Sequence, residues 1–347
     1  MDADTRDRAR KEPALTVNAT ASSWLTLRRR AASAVVVAVT PYLLIKVAWT
    51  AGLFLPTAQM GESGWRAINA ATAALAAAAI VLAMAFSRPW GERVPAWLVA
   101  LPVWVATGLL VPVVLLAPVL GPAAVARDQE AGAAEVWSHE QVLVMVSLVG
   151  VGIGLPLALV GYARARWPWA FSGTVGAGRN HTKQLRTTLA RLAAGGALAL
   201  GLTKIYWASG GVLGLDADRL HLRDEWWHLL SLSTGVWAVL GAWGLLVTTT
   251  CRGASRFVVP MAAVWTSSSV MFAQNLYSAL SATRADAQPA PEHPLALVLT
   301  TDAGLVLGAL MVTVLLFVLH DRRIALRGRD ATTAPIPPAR PDPTGTT

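Results

Sequence analysis

The chain has 347 residues, 54% of them hydrophobic and 14% charged, with a formal net charge of +9. A soluble domain carries about 25% charged residues, so the deficit excludes an ordinary water-solvated globule. The positive charge lies beside long apolar runs and reads as membrane topology rather than nucleic-acid binding. The single cysteine, Cys251, excludes an intrachain disulfide and a Cys-x-x-Cys metal or redox pair.

Residues 1–30 are polar, rich in Asp, Arg and Ala, and are expected to form a disordered cytoplasmic tail rather than a cleavable signal. A helix needs roughly 20 apolar residues to cross the bilayer core. Such runs predict spans near 33–55, 67–87, 96–118 and 142–162, a first membrane half over 31–162. A basic linker over 163–191 follows. Spans near 192–214, 227–249, 257–280 and 295–319 then make a second half over 192–320. A disordered tail over 321–347, Pro-rich from Pro335 to Pro343, ends the chain. The runs are continuous rather than alternating, so each is expected to satisfy its own backbone as a helix. The fold class is all-α, a polytopic transmembrane bundle of about eight helices.

Arginine and lysine set the orientation. With the N-terminus inside, 22 of the 29 basic residues fall in cytoplasmic segments, five fall outside, and Lys46 and Lys204 lie within spans. This bias predicts N-in and C-in, multi-pass, in the cell (plasma) membrane. The linker 163–191 carries six positive charges and is expected to face anionic lipid headgroups.

The first and fifth spans share a pattern. Lys46, Trp49 and Gly52 recur as Lys204, Trp207 and Gly210. Trp65 recurs as Trp226 and Trp104 as Trp265, both pairs at one common offset, and Gly150 and Gly154 match Gly304 and Gly308. The pattern predicts two parallel four-helix repeats about a pseudo-two-fold axis along the membrane normal. The stretch Lys204-Ile-Tyr-Trp207-Ala-Ser-Gly210-Gly211 resembles the first-helix signature, roughly Tyr/His-Trp-Ala-x-Gly-Gly, of a bacterial family of four-helix integral membrane proteins of unknown function. It also resembles larger actinobacterial multi-pass membrane proteins. The first half departs from the signature at Ala48 and at its single Gly52. The resemblance implies membrane architecture and brings no activity.

Lys46 and Lys204 are each expected about nine residues from the outer end of a span, on the order of 13 Å deep. A lysine near the bilayer centre costs roughly 2.5–3.5 kcal/mol. Snorkelling outward, an intramembrane network and a working site all answer that cost. Asp302 is the carboxylate well inside a span and would need a partner, Lys204 by preference. Trp49 and Trp207, three residues on, share the lysines' helical face and offer cation–π contact or packing. Ser147 is the polar residue of the fourth span, and Ser267, Ser268 and Ser269 either line a wet cavity or join helices. At the outer rim, His139, Glu140, Asp224, Glu225 and His228 fit no metal motif. No nucleophile–base set, metal site or cofactor site is readable.

Three functions follow. The first is a structural or partner-binding membrane protein without chemistry of its own. The second is a small-solute or ion transporter using Lys46, Lys204 and Asp302. The third is a membrane-embedded enzyme at the outer rim.

Overall fold

The computed structural model describes residues 3–54, 63–130, 139–175, 183–215, 220, 223–250, 256–282 and 294–333. Among them the architecture is all-helical, with one isolated bridge between Thr174 and Arg256. A helix falls on each predicted span: α1 Ala3–Thr50, α2 Ser63–Ser87, α3 Ala96–Glu130, α5 Lys183–Ala208, α6 Glu225–Thr250, α7 Val258–Ala282 and α8 Pro294–Thr333. The fourth, α4, runs from His139–Val149 through a π turn at Gly150–Gly154 into Leu155–Arg166, with helical backbone at both junctions. Six stretches are long and apolar enough to cross a membrane: Ser23–Thr50, Gly64–Ser87, Ala96–Leu116, Val142–Arg166, Glu225–Thr250 and Leu299–Ala325. The protein is thus a helical membrane protein. The two remaining helices, α5 and α7, carry the more polar stretches around Lys204 and Ser267–Ser269.

Helix α1 runs on through residues 3–30, ahead of the first span. The eighth helix likewise continues through 321–333, and the remainder of that tail lies outside the described residues. Within the linker region α4 reaches Arg166 and α5 starts at Lys183, with a short helix at Pro168–Phe171 between them. At the other end, α1 and α5 stop at Thr50 and Ala208, short of the predicted 55 and 214. Gly52 at φ +81 and Gly210 at φ +101 turn the chain there into the left-handed region that glycine tolerates.

Helix pairing is closed in the second half and open in the first. In the second, α5 packs on α6, α6 on α7, α7 on α8 and α8 on α5, around Ala194, Ala197, Leu245, Met271 and Met311. In the first, α1 packs on α2 and α4, around Val35, Val39, Phe86, Leu155 and Tyr162. The third helix, α3, joins that core through Val99 and Val103 but makes its main contact with α7. The glycine pairs therefore meet different neighbours. Gly150 and Gly154 seat α4 on Ala38 and Val35 of α1, whereas Gly304 and Gly308 seat α8 on Asn275 and Ser268 of α7.

The α3–α7 contact ties the halves together. Trp104 Nε1 donates to Ser268 Oγ at 3.0 Å, and its ring lies 4.9 Å from that of Phe272. Gln274 Nε2 donates to the Gly108 carbonyl at 3.2 Å. A β-carbon on Gly108 would run into the Ser269 carbonyl. Ser267, Ser268 and Ser269 are all fully buried: Ser268 Oγ accepts from Trp104 across the contact, Ser269 Oγ donates to the Thr266 carbonyl of its own helix, and Ser267 lies against Gly241 of α6. Replacing Gly108 by Leu is expected to force α3 off α7 and cost about 1–3 kcal/mol. A lowered thermal midpoint of the purified protein in detergent would register this; an unchanged midpoint would remove α3 from the interface.

Candidate functional site

The two lysines sit close to helix ends. Each lies four residues from the last residue of its helix, Thr50 or Ala208, about 6 Å along the axis. The depth expected from the apolar runs is about twice that, because the runs continue past the glycine turns. A cation in the last turn lies at the negative end of the helix dipole, which favours it, while the glycine turns take up the last-turn carbonyls of Val47, Ala48 and Trp49 and of Ile205, Tyr206 and Trp207.

Both lysines are closed over by aromatic rings of their own helix. Lys46 Nζ stands 4.4 Å from the Trp49 centroid and 5.4 Å from that of Tyr42. Lys204 Nζ stands 5.1 Å from the Trp207 centroid. Each tryptophan is in turn pinned: Trp49 Nε1 donates to the Phe54 carbonyl at 3.1 Å, and Trp207 Nε1 to the Leu213 carbonyl at 2.9 Å. An arginine from the next segment covers each turn. Arg66 lies against Gly52, and Arg223 donates to the carbonyls of Gly210 and Gly211. Lys, Trp, left-handed Gly and Arg form the same cap at both places. Besides Tyr42, the first cap has a further group from α2. Lys46 is 8% exposed and donates to Asn69 Oδ1 at 3.2 Å. In the second half, the offset of the repeated tryptophans puts Leu230 of α6 where Asn69 stands in the first.

Asp302 does not join them. It is exposed on α8, and no ion pair links it to Lys46 or Lys204 among the described residues. Lys46 lies in the α1–α2 pair and Lys204 on α5, while the halves meet through α3 and α7. A shallow crevice between α3 and the π turn of α4, beside Thr107, Leu110 and Gly152, is apolar and distant in sequence from both lysines.

Two buried arginines form ion pairs at the opposite end, one with the half-exposed Glu92 and one with buried Asp321. Arg28, 4% exposed, pairs with Glu92 at 3.3 Å and donates through Nε to the Phe86 carbonyl. Arg186, 2% exposed, pairs with Asp321 at 2.9 Å. The two arginines are offset from each other as the two lysines are, so each stands equally far ahead of its own lysine in the sequence. Their acids are supplied differently, by the 3₁₀ turn Pro89–Arg93 in one half and by α8 in the other. Around them, Arg166 donates to Tyr162 Oη and, at 2.8 Å, to the Val94 carbonyl. Buried Arg322 donates to the carbonyls of Ser172 and, at 3.0 Å, Thr174. Read as sequence, these arginines count only as topology charges. Recurrence at a fixed spacing before each lysine is the signal that singles out Arg28 and Arg186.

At the rim, Asp224 Oδ1 accepts from the Trp227 N–H at 2.7 Å and caps α6, and His228 Nδ1 lies 3.0 Å from the Ala208 carbonyl. The side chains of His139 and Glu140 lie outside those described. No group of three metal-ligating side chains occurs among the described residues. Comparisons with protein-family models, curated proteins and solved structures gave no match to this chain.

Removing one partner of a buried pair strands a charge, at about 3–5 kcal/mol. Asp321→Asn is therefore expected to lower the thermal midpoint strongly. Asp302→Asn, at an exposed position, is expected to change stability by no more than about 0.5 kcal/mol. Equal effects from the two substitutions, read in one detergent series, would contradict this assignment of the structural carboxylate.

Proposed function

We propose that this chain is a non-enzymatic structural or partner-binding protein of the cell membrane, built from eight transmembrane helices in two parallel four-helix repeats with both termini in the cytoplasm. The observation that carries this reading is that each lysine rests on a pinned tryptophan of its own helix, at the helix end, while Asp302 lies exposed on α8. A transport site built on Lys46, Lys204 and Asp302 would need those groups to converge. The duplication is supported by the repeated cap at Thr50 and Ala208, and by Arg28 and Arg186 at the offset of the lysines. It is supported also by the contact of Gly108 with Ser269, which share the sequence offset of Trp104 and Trp265. Residues on a two-fold axis meet their own counterparts. The fully built second bundle and the open first one are then two versions of one unit.

Complementation of a strain lacking the gene separates this reading from transport. Lys204→Met, Asp302→Asn and the double variant, made at normal levels, are all expected to support growth and solute uptake like the unchanged protein. Loss in all three would replace the structural reading with a working site. The orientation has its own check in Cys251, which the topology puts in the cytoplasmic connection between α6 and α7. A membrane-impermeant maleimide is expected to label it only after cells are permeabilised, and labelling in intact cells would invert the topology.

A further inference from the structure

Arg164 is held unlike the other arginines at its end of the bundle. Gly161 stands where a β-carbon would press on the side chain of Arg28 at 2.8 Å, so α1 and α4 lie close together there. One turn further toward that end, Trp24 of α1 comes over Arg164 of α4. The guanidinium carbon is 4.1 Å from the Trp24 ring centroid and 5.4 Å from that of Phe171, in the short helix Pro168–Phe171. Two rings fix the position of the charge and restrict the plane of the guanidinium.

The neighbouring arginines use their N–H groups on protein oxygens: Arg28 on Glu92 and Phe86, Arg166 on Tyr162 and Val94, Arg186 on Asp321, Arg322 on Ser172 and Thr174. Arg164 donates to no oxygen among the described residues, and its Nε is closed off from solvent without an acceptor. The residue remains partly exposed, so the terminal nitrogens are the donors left for a ligand. Trp24, Trp90, Trp167 and Trp169 sit in the adjoining segments, the aromatic composition of a membrane–water boundary. A fixed, planar, charged donor at headgroup depth matches phosphate. The repeated scaffold does not require the stack, because the offset between the two lysines carries Trp24 onto Thr182 in the second half.

We propose that Arg164, stacked on Trp24 and Phe171, binds the phosphate of an anionic phospholipid headgroup. The site rests on the membrane reading above but not on which face of the membrane this end occupies.

Native mass spectrometry of the full chain in detergent, titrated with phosphatidylglycerol, reads the site directly. The unchanged protein is expected to retain one phosphatidylglycerol, about tenfold more tightly than the Arg164→Gln variant and than it retains phosphatidylcholine, in line with a charge-assisted contact. Equal retention by R164Q, or equal retention of phosphatidylcholine, would overturn the proposal. Inorganic phosphate runs in a parallel arm. Displacement of the lipid by millimolar phosphate would assign the site to the free anion and overturn the lipid. If R164Q is recovered unfolded, Arg164→Lys keeps the charge without the planar fork and is expected to bind several-fold more weakly, whereas unchanged binding would exclude the guanidinium as the recognising group. External labelling of Cys251 would overturn the orientation and leave this site standing, so the two failures are distinguishable.

Discussion

A guanidinium cut off from water has to find its oxygens inside the protein, and the arginines Arg28 and Arg186 impose that requirement once in each half. Breaking either pair leaves a buried charge, so the elements that supply the acceptors are bound into the fold. For Arg28 these are the end of α2 and the 3₁₀ turn that carries Glu92. For Arg186 it is α8, through Asp321. The first half thus closes its arginine with the connection between its second and third helices, and the second half closes its own with its last helix. That difference accompanies the difference in packing: α8 sits tightly against α5 and α7, whereas α3 is left to lean on the other half.

The opposite ends of α1 and α5 are settled by a second device, weaker per contact and repeated more faithfully. A desolvated lysine over an indole gains about 2 kcal/mol, and the last-turn carbonyls add a favourable dipole. The tryptophan is held in turn by a carbonyl beyond the glycine turn. Each part fixes the next, so the charge that looks costly in the sequence stabilises a helix end. Asn69 sharpens the first cap by accepting from Lys46, although its Nδ2 is buried without a partner.

Much of this is legible in the residues. Continuous apolar runs locate the six long apolar helices, and Lys-x-x-Trp-x-x-Gly at two places marks both caps. The depth of the lysines is not legible, because Leu53 and Phe54, and likewise Val212 and Leu213, prolong the apolar run after the helix has already turned at glycine. Hydropathy does not register a positive φ. Asp302 draws attention as the carboxylate inside a run, while Asp321, beside Arg322 and Arg323, reads as part of a solvated tail. Its burial against Arg186 depends on how α5 and α8 cross, which no local pattern encodes. The departure of α3 to α7 is hidden for the same reason. Trp104 and Gly108 suit a helix contact of any kind, and nothing in their spacing names the partner.

The lodging of α3 against α7 also has a temporal side. Trp104 and Ser268 are separated by 164 residues. At a synthesis rate of about 5–20 residues per second, roughly 8–33 s pass between the emergence of one and the other. Through that interval α3 resides in lipid with the indole N–H of Trp104 lacking its final acceptor and with the bare Gly108 surface uncovered. The nascent first half is therefore an unfinished body that stays receptive until the later helices arrive, and the order of translation becomes part of how the bundle is assembled.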